Sequence, residues 1–414
     1  MSLLSKHSLS KVDHSNIIQI AAEAKVAKAK DNSVINATIG MLFDENEEFY
    51  TFKAVKHAED KLNNIDKYAY TNTVGTKSFI DGVEKWVFQE YYDLFKEKMH
   101  VKTIATPGGS GAISNTFSNY LNEGEKVLLP SYMWSNYKQV AYENYLNYTT
   151  YNMFNDNDEL NLTDIKNKFI ELKNTQGRIL FVINDPCHNP TGYSMEEQEW
   201  SSLIDIINEV TSDGTPFVML YDMAYIDYDQ KGMKNSRNNI LKFSNLNSNC
   251  LVILAFSGSK TLGLYGLRIG AMIGASRDEA NIEDFMNANQ FSARTKYSMA
   301  TSYGMNIIGE ILTNNELNKE FRDELSTIRT MLVTRANTFL EECKNNDLKI
   351  VPFKCGFFVT IPCENDDKVY EYLVNKGVYI VPLNGALRVT IASISLENCR
   401  KLPALIKEAM NNVK

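Results

Sequence analysis

Phe256-Ser257-Gly258-Ser259-Lys260-Thr261-Leu262-Gly263-Leu264-Tyr265-Gly266-Leu267-Arg268-Ile269-Gly270 is the stretch on which the reading of this chain turns. It follows the apolar, β-branched run Cys250-Leu251-Val252-Ile253-Leu254-Ala255, which reads as a buried strand, so Lys260 falls just past a strand end where a lysine can be desolvated. Burial disfavours the ammonium form, and a lysine whose pKa is lowered this way can hold a carbonyl compound as a Schiff base. Arg268 comes eight residues later among small residues, and Ser257 and Ser259 stand just before the lysine. Guanidinium and hydroxyl donors match the oxygens of a phosphate dianion, and glycines let backbone come close. A lysine-bound aldehyde carrying a phosphate is pyridoxal 5'-phosphate, the cofactor these residues predict. An isolated Ser-x-Ser-Lys would read instead as a solvated loop with an ordinary lysine, so the rest of the chain has to carry the same chemistry.

With 414 residues, 44% of them hydrophobic and 23% charged, the chain can bury large cores, and two domains of roughly 100–200 residues or more are expected rather than one. A net charge of -8 supplies no electrostatic footprint for nucleic acid. The six cysteines are scattered from Cys187 to Cys399 without a C-x-x-C pair or zinc spacing, so they read as reduced thiols and no metal site is expected. No apolar run approaches the ~18 residues of a membrane span, and the opening Met1 to His14 is polar, without the apolar core of a signal peptide. A soluble, cytoplasmic protein is the expectation. Only ten of the 43 basic residues are arginines, the first being Arg178, whereas an organellar transit peptide is arginine-rich. In a chain that otherwise uses lysine, Arg268, Arg294 and Arg388 mark places where the planar fork was used.

Residues up to about Asn32 read as helical, with Ile17, Ile18, Ala21 and Ala22 near helical spacing, followed by a strand-like Val34 to Ala37 that ends at Gly40. Gly40 either serves a turn or lets an N-terminal arm cross a site mouth. Helices are expected around Phe52 to Leu62 and Thr76 to Lys98, with loop composition in Tyr68 to Gly75 between them. Thr106-Pro107-Gly108-Gly109-Ser110-Gly111-Ala112 opens a helix whose free N–H groups and positive dipole end suit an anion. Val127 to Leu129 is a short strand before Pro130-Ser131-Tyr132-Met133-Trp134-Ser135-Asn136-Tyr137, where Trp134 is either core or a flat partner for a flat ring. Arg178 to Asn184 and Phe217 to Tyr221 are buried strands. They lead into Asp185-Pro186-Cys187-His188-Asn189-Pro190-Thr191-Gly192 and Asp222-Met223-Ala224-Tyr225, where Asp222 could simply cap a helix. Between the two lies an amphipathic helix with Trp200, Leu203, Ile204, Ile207 and Val210 on one face. Strands alternating with helices through roughly 100–275 describe an open, mostly parallel sheet with a site along its carboxyl edge. Beyond about Ile307 the pattern changes to a long helix, strands at Leu348 to Pro352, Gly356 to Ile361 and Leu387 to Ile391, a helix near Val369 to Asn375 and a last helix from Leu396. That is a smaller α+β unit.

The Lys260 segment resembles the cofactor-lysine segment of the class I/II aminotransferases, pyridoxal phosphate enzymes of fold type I. The resemblance runs from about Val34 to the last helix, with motifs in family order, and the subgroup it resembles acts on aspartate and aromatic amino acids. It implies an N-terminal arm over 1–50 that joins the small domain, a large cofactor-binding domain over 51–307 and a small C-terminal domain over 308–414. By the same resemblance Gly109, Ser110, Ser257, Ser259 and Arg268 hold the phosphate and Trp134 stacks on the pyridine ring. Asn189 and Tyr225 donate to the phenolic oxygen, and Asp222 pairs with the protonated ring nitrogen. Catalysis is carried by Lys260, Asp222 and Tyr225. The substrate is met by Arg388 as carboxylate clamp, with Gly40, Asn189 and Trp134 beside it. His188 has no required counterpart and is left as structural. Tyr70, matched with a one-residue gap, reaches the phosphate in the neighbouring subunit, which implies a homodimer with shared active sites. Arg294 with Tyr297 and Ser298 matches an arginine from the partner that binds the side-chain carboxylate of aspartate or glutamate, although Met299-Ala300-Thr301 replaces the proline-rich run found in aspartate enzymes. A plain surface arginine is the alternative.

The reaction implied is amino transfer between an L-amino acid, aspartate or aromatic, and 2-oxoglutarate in a ping-pong cycle. A β-eliminating C–S lyase of the same fold would share Lys260, Asp222, Asn189 and Arg388. A pyridoxal phosphate-sensing domain of a transcription regulator is disfavoured, because such proteins add a basic helix-turn-helix domain for which this chain has no room.

Overall fold

The computed structural model describes residues 2–11 and 17–413, so Met1, residues 12–16 within the polar opening and the expected first helix, and Lys414 lie outside the described residues. In chain order the strands are β1 (Ile35–Asn36), β2 (His100–Thr106), β3 (Lys126–Pro130), β4 (Asn147–Tyr151), β5 (Ile179–Asn184) and β6 (Phe217–Asp222). They continue with β7 (Cys250–Ser257), β8 (Gly270–Ser276), β9 (Phe358–Pro362), β10 (Val378–Tyr379), β11 (Val381–Pro382) and β12 (Ala386–Thr390). Seven of them form a sheet in the order β2-β8-β7-β6-β5-β3-β4, in which β8 alone runs antiparallel to its neighbours. Every residue of β5, β6 and β7 is buried, as a parallel sheet covered on both faces requires.

The period of two divides these strands between two cores. Leu180, Val182, Leu220, Leu251 and Ile253 face helix Gly108–Tyr120, whose Ala112, Ile113 and Phe117 are in the same cluster. Phe181, Met219, Tyr221, Val252 and Leu254 face the other way, toward Trp200, Leu203 and Ile207 of helix Glu197–Val210. That helix begins in a capping box, with Glu199 bonding back to the Glu196 N–H at 2.7 Å. Each fully buried aliphatic side chain on its inner face contributes about 1.5–3 kcal/mol, which fixes the helix to the sheet far more firmly than its own propensity would. The register pairs Asn184 with Asp222 and Asp222 with Ala255, so β5 and β6 end level, β7 runs on to Ser257, and all three deliver their following loops to one edge.

The two chain ends meet elsewhere. β1 pairs in parallel with β10, Ile35 opposite Val378, while β12 lies between β11 and β9 in an antiparallel sheet. Ile35, Ala37, Val359, Ile361, Leu387, Val389 and Ile406 share the second core. The expected division at residue 307 falls within helix Ser302–Thr313, whose Ile307, Ile308 and Ile311 belong to the main core. The following helix, Asn315–Asn345, carries Leu317 to Leu332 in the main core and Ala336, Phe339 and Cys343 in the small one. We propose that the two units divide along this helix, near residue 333.

Four local expectations are corrected. Residues 348–352 form no strand: Val351 N–H reaches Thr360 O at 2.9 Å, but Pro352 has no N–H to continue a ladder, and the N–H groups of Lys354 and Cys355 turn to Gly192 O. The helix expected over Thr76 to Lys98 stops at Phe88, where Gln89 has φ +49, and restarts only as the short turns Gln89–Tyr91 and Tyr92–Lys96. Tyr68 ends a helix, Asn64–Tyr68, opened by an Asn63/Asp66 capping box, instead of starting a loop. Helix Ile17–Lys30 buries Ile20 and Ala24, not Ile18 or Ala22, leaving Ile17 and Ile18 at the mouth of a cavity.

Candidate active site

Lys260 sits in a single helical turn, Gly258–Thr261, directly after β7. The turn is held from below: Tyr228 Oη donates to Lys260 O at 2.8 Å, and Thr261 Oγ1 donates to Asp227 Oδ2 at 2.7 Å. Asp227 also receives Trp86 Nε1 at 3.2 Å and Arg237 Nη2 at 2.5 Å, and neither Asp227 nor Arg237 has any exposed side-chain surface. The Lys260 amine donates to Gly40 O at 2.5 Å and lies 5.0 Å from the ring centre of Tyr265 and 5.4 Å from that of Tyr225. Burial, reinforced by the Arg388 and Arg268 charges, brings its pKa down to about 7 against the opposing pull of Asp222. At neutral pH a large share of this amine is therefore unprotonated and nucleophilic.

Beside it the start of helix Gly108–Tyr120 meets Arg268, whose Nη1 donates to Ser259 Oγ and Tyr265 O, each at 3.0 Å. Gly108 has φ +67, and a Cβ there would stand 2.8 Å from Arg268 Nη2, so the close approach of loop and guanidinium requires glycine. Gly109, Ser110, Ser257, Ser259 and Arg268 all line one cavity of roughly 330 Å³, as do Trp134, Asn189, Asp222, Tyr225, Lys260, Gly40 and Arg388. Helix N–H groups, two buried serine hydroxyls and a guanidinium make that end an anion cradle.

At the other end Asp222, buried at the tip of β6, accepts Tyr137 Oη on Oδ2 at 2.5 Å and Ala224 N–H on Oδ1 at 3.2 Å. Burial raises its pKa, and the Tyr137 hydrogen bond, the Ala224 N–H and the Lys260 charge oppose that. Asn184 Nδ2 donates to Asp222 O, while Asn184 Oδ1 accepts Asn189 N–H at 2.7 Å, so one side chain ties the two loops together. Trp134 packs edge to face with Tyr137, ring centres 5.5 Å apart. Arg388, in the middle strand β12 and 5% exposed, donates to Thr38 O at 2.8 Å and stacks 4.7 Å over Phe358. Its buried Nε has no partner among the described residues, an orphaned donor beside the cavity. His188 bonds Thr191 Oγ1 from full burial, which holds its pKa down at about 3 and leaves it a neutral structural group.

Two of the expected residues stand apart. Tyr70 is 93% exposed, and Arg294, at the end of helix Glu279–Lys296, donates to Ser298 Oγ at 2.6 Å; neither lines the cavity of the single chain. Sequence reasoning missed Tyr137, Asn184, Tyr265 and the Asp227–Arg237 pair. Tyr137 stands next to the expected Trp134 in Trp134-Ser135-Asn136-Tyr137, a run that gives no sign of its distant partner, and Asp227 stands in the same Asp222-to-Tyr228 run as two expected residues.

Pyridoxal phosphate matches this donor set: an anion cradle at one end, a buried carboxylate at the other, an amine with lowered pKa between them and the Arg388 guanidinium lining the same cavity for a substrate carboxylate. A seven-stranded, mostly parallel sheet carrying these groups along one edge defines a pyridoxal phosphate enzyme of fold type I. Residues 32–406 match the model of the family described as aminotransferase class I and II, and the chain belongs to that family. It is similar to the tyrosine aminotransferase of Rhizobium meliloti (strain 1021), 26% identical over 87% of this chain and 89% of the relative. An aspartate aminotransferase of Salmonella typhi is also 26% identical, over 89% of this chain and 91% of its own. Among solved structures, an aminotransferase from Anaerococcus prevotii DSM 20548 superposes with a TM-score of 0.94 at 30% identity, covering 99% of this chain and all of that one. The protein is thus a pyridoxal phosphate-dependent aminotransferase acting on amino acids and 2-oxo acids. Among the described residues no helix is long and apolar enough to cross a membrane, and all six cysteines are free.

Proposed function

We propose that the enzyme moves an amino group between aspartate or an aromatic L-amino acid and 2-oxoglutarate by a ping-pong mechanism, as a cytoplasmic homodimer with shared active sites. The observation that carries this reading is the pair Lys260 and Arg388: a buried amine poised near neutrality and a buried guanidinium with an unpartnered Nε line the same cavity. Arg388 takes the substrate α-carboxylate, which orients the Cα–H bond and excludes water from that wall. Bound pyridoxal phosphate supplies a protonated ring that withdraws electrons from the substrate Cα. With pyridoxal phosphate bound, Lys260 Nζ would take the proton from the substrate Cα and deliver it to the cofactor's carbonyl-derived carbon, a task suited to a pKa near the working pH. Gly109, Ser110, Ser257, Ser259 and Arg268 hold the phosphate, Asn189 and Tyr225 the phenolic oxygen, Asp222 the ring nitrogen, and Trp134 the ring face.

Tyr70 and Arg294 complete the site from the partner subunit in this reading. Their exposure and their position outside the single-chain cavity support it. The apolar Ile17, Ile18 and Ile39 at the cavity mouth favour an aromatic side chain, while Arg294 favours a dicarboxylate. A panel of L-amino acids assayed with 2-oxoglutarate tests the assignment. Glutamate formation from aspartate, tyrosine or phenylalanine is expected. Release of ammonia from a cysteine conjugate without glutamate formation would replace it with β-elimination.

A further inference from the structure

Tyr137 has no assigned part in the reaction, yet its hydroxyl is the only side-chain group hydrogen-bonded to the Asp222 carboxylate among the described residues. The residue is fully buried in helix Asn136–Glu143, and its Oη lies 2.5 Å from Asp222 Oδ2, the length of a charge-assisted O–H···O⁻ bond. A phenol has one proton to give, and here it goes to the carboxylate. With Oδ1 taken by Ala224 N–H, the carboxylate's remaining acceptor capacity is left for the cavity that Asp222 lines. The groups facing Asp222 are few: Tyr137 from its helix, Tyr225 from the loop after β6, and Lys260 from the turn after β7.

We propose that Tyr137 is a positioning residue for the cofactor's ring nitrogen: by donating to Asp222 it keeps that carboxylate charged and aimed, so that the shared proton rests on the nitrogen and not on Asp222. The inference rests on the role proposed above for Asp222. A buried carboxylate stripped of its donor gains proton affinity, because burial penalises only the charged form. The proton of a nitrogen–carboxylate pair then moves toward oxygen, and the ring loses part of its electron-withdrawing power. No bond other than that N–H/O–H partition changes. The edge-to-face contact with Trp134 gives the same tyrosine a hold on the wall beside the ring.

The test uses holoenzyme loaded with pyridoxal phosphate labelled with ¹⁵N in the ring, and reads the ¹⁵N chemical shift. Tyr137→Phe should move the signal toward the unprotonated position and lower kcat about tenfold, the scale of one hydrogen bond to a charged group, with KM little changed. Site-specific 3-fluorotyrosine at 137, a stronger donor of nearly the same shape, should move the signal the opposite way. This variant keeps the question answerable even if Tyr137→Phe folds poorly. A ¹⁵N shift unmoved in both, with only melting temperature changed, would make Tyr137 a packing residue and overturn the proposal. Asp222→Ala separates the two layers. If it leaves the ¹⁵N signal in place, the assignment of Asp222 fails; if it moves the signal while the Tyr137 variants do not, only the inference about Tyr137 fails.

Discussion

Replacing Arg237 with methionine should destabilise the enzyme by about 3 kcal/mol, and the value follows from what the side chain leaves behind. Arg237 and Asp227 form an ion pair with no exposed side-chain surface, at 2.5 Å. Removing one partner of such a pair costs about 3–5 kcal/mol, because the other charge stays buried. Asp227 would keep Trp86 Nε1 and Thr261 Oγ1 as donors, which puts the expectation at the low end. Arg237 Nε has no partner among the described residues, so its removal also ends a small existing cost. About 3 kcal/mol raises the unfolded-to-folded ratio roughly 150-fold. Urea unfolding at one fixed protein concentration, followed by tryptophan fluorescence, measures it, and Trp86 sits within the network it reports on. The double variant Arg237→Met with Asp227→Asn should recover about 1–2 kcal/mol, since an amide is cheaper to bury than a lone carboxylate. Because Thr261 anchors the residue after Lys260 to Asp227, kcat should fall in the single variant more than KM rises. A loss below about 1 kcal/mol, or a double variant no better than the single, would refute the claim that this pair bears the Lys260 turn.

Two further outcomes follow from the site. Lys260, at about pH 7, loses its proton as pH rises, so the rate at which cofactor-free enzyme captures pyridoxal phosphate should climb through a midpoint near 7; Arg388→Leu removes a like charge and should move that midpoint up, and an unchanged midpoint would show that Arg388 does not act on Lys260. Arg294→Ala should lower kcat/KM for aspartate and 2-oxoglutarate ten-fold or more, from the ~1.5–3 kcal/mol of a charge-assisted hydrogen bond, and leave aromatic substrates little affected; equal losses in both classes would remove Arg294 from substrate selection.

What could be read in the sequence divides along burial. β5, β6 and β7 are covered on both faces and therefore appear as unbroken apolar runs, each followed by its functional loop, so Asn189, Asp222 and Lys260 could be placed without coordinates. β4, Asn147–Tyr151, is an edge strand with one buried residue in five, and its polar sequence gives no strand signal. Residues 348–352 fail in the other direction: their apolar alternation serves packing against the small core, while Pro352 and the turn toward Gly192 leave no ladder. Tyr137 reads as one more core aromatic on a helix, because nothing local says that its hydroxyl meets a carboxylate 85 residues away. Arg237 sits in the asparagine-rich helix Met233–Leu241, whose composition suggests a solvated face even though Ser236, Arg237, Asn239 and Ile240 are buried. Sequence pattern records which face is apolar. It does not record which polar group finds a buried partner across the fold.

Lys260 as the cofactor's anchor is the claim on which every other role depends. Holoenzyme reduced with borohydride, digested and read by mass spectrometry tests it directly, because reduction makes the link between lysine and pyridoxal phosphate permanent. The cofactor is expected on the peptide carrying Lys260 and nowhere else. The Lys260→Ala variant should carry none and show no amino transfer, while still binding pyridoxal phosphate noncovalently through the cradle of Ser257, Ser259 and Arg268. Cofactor found on another lysine, or amino transfer at near wild-type rate by Lys260→Ala, would contradict the account.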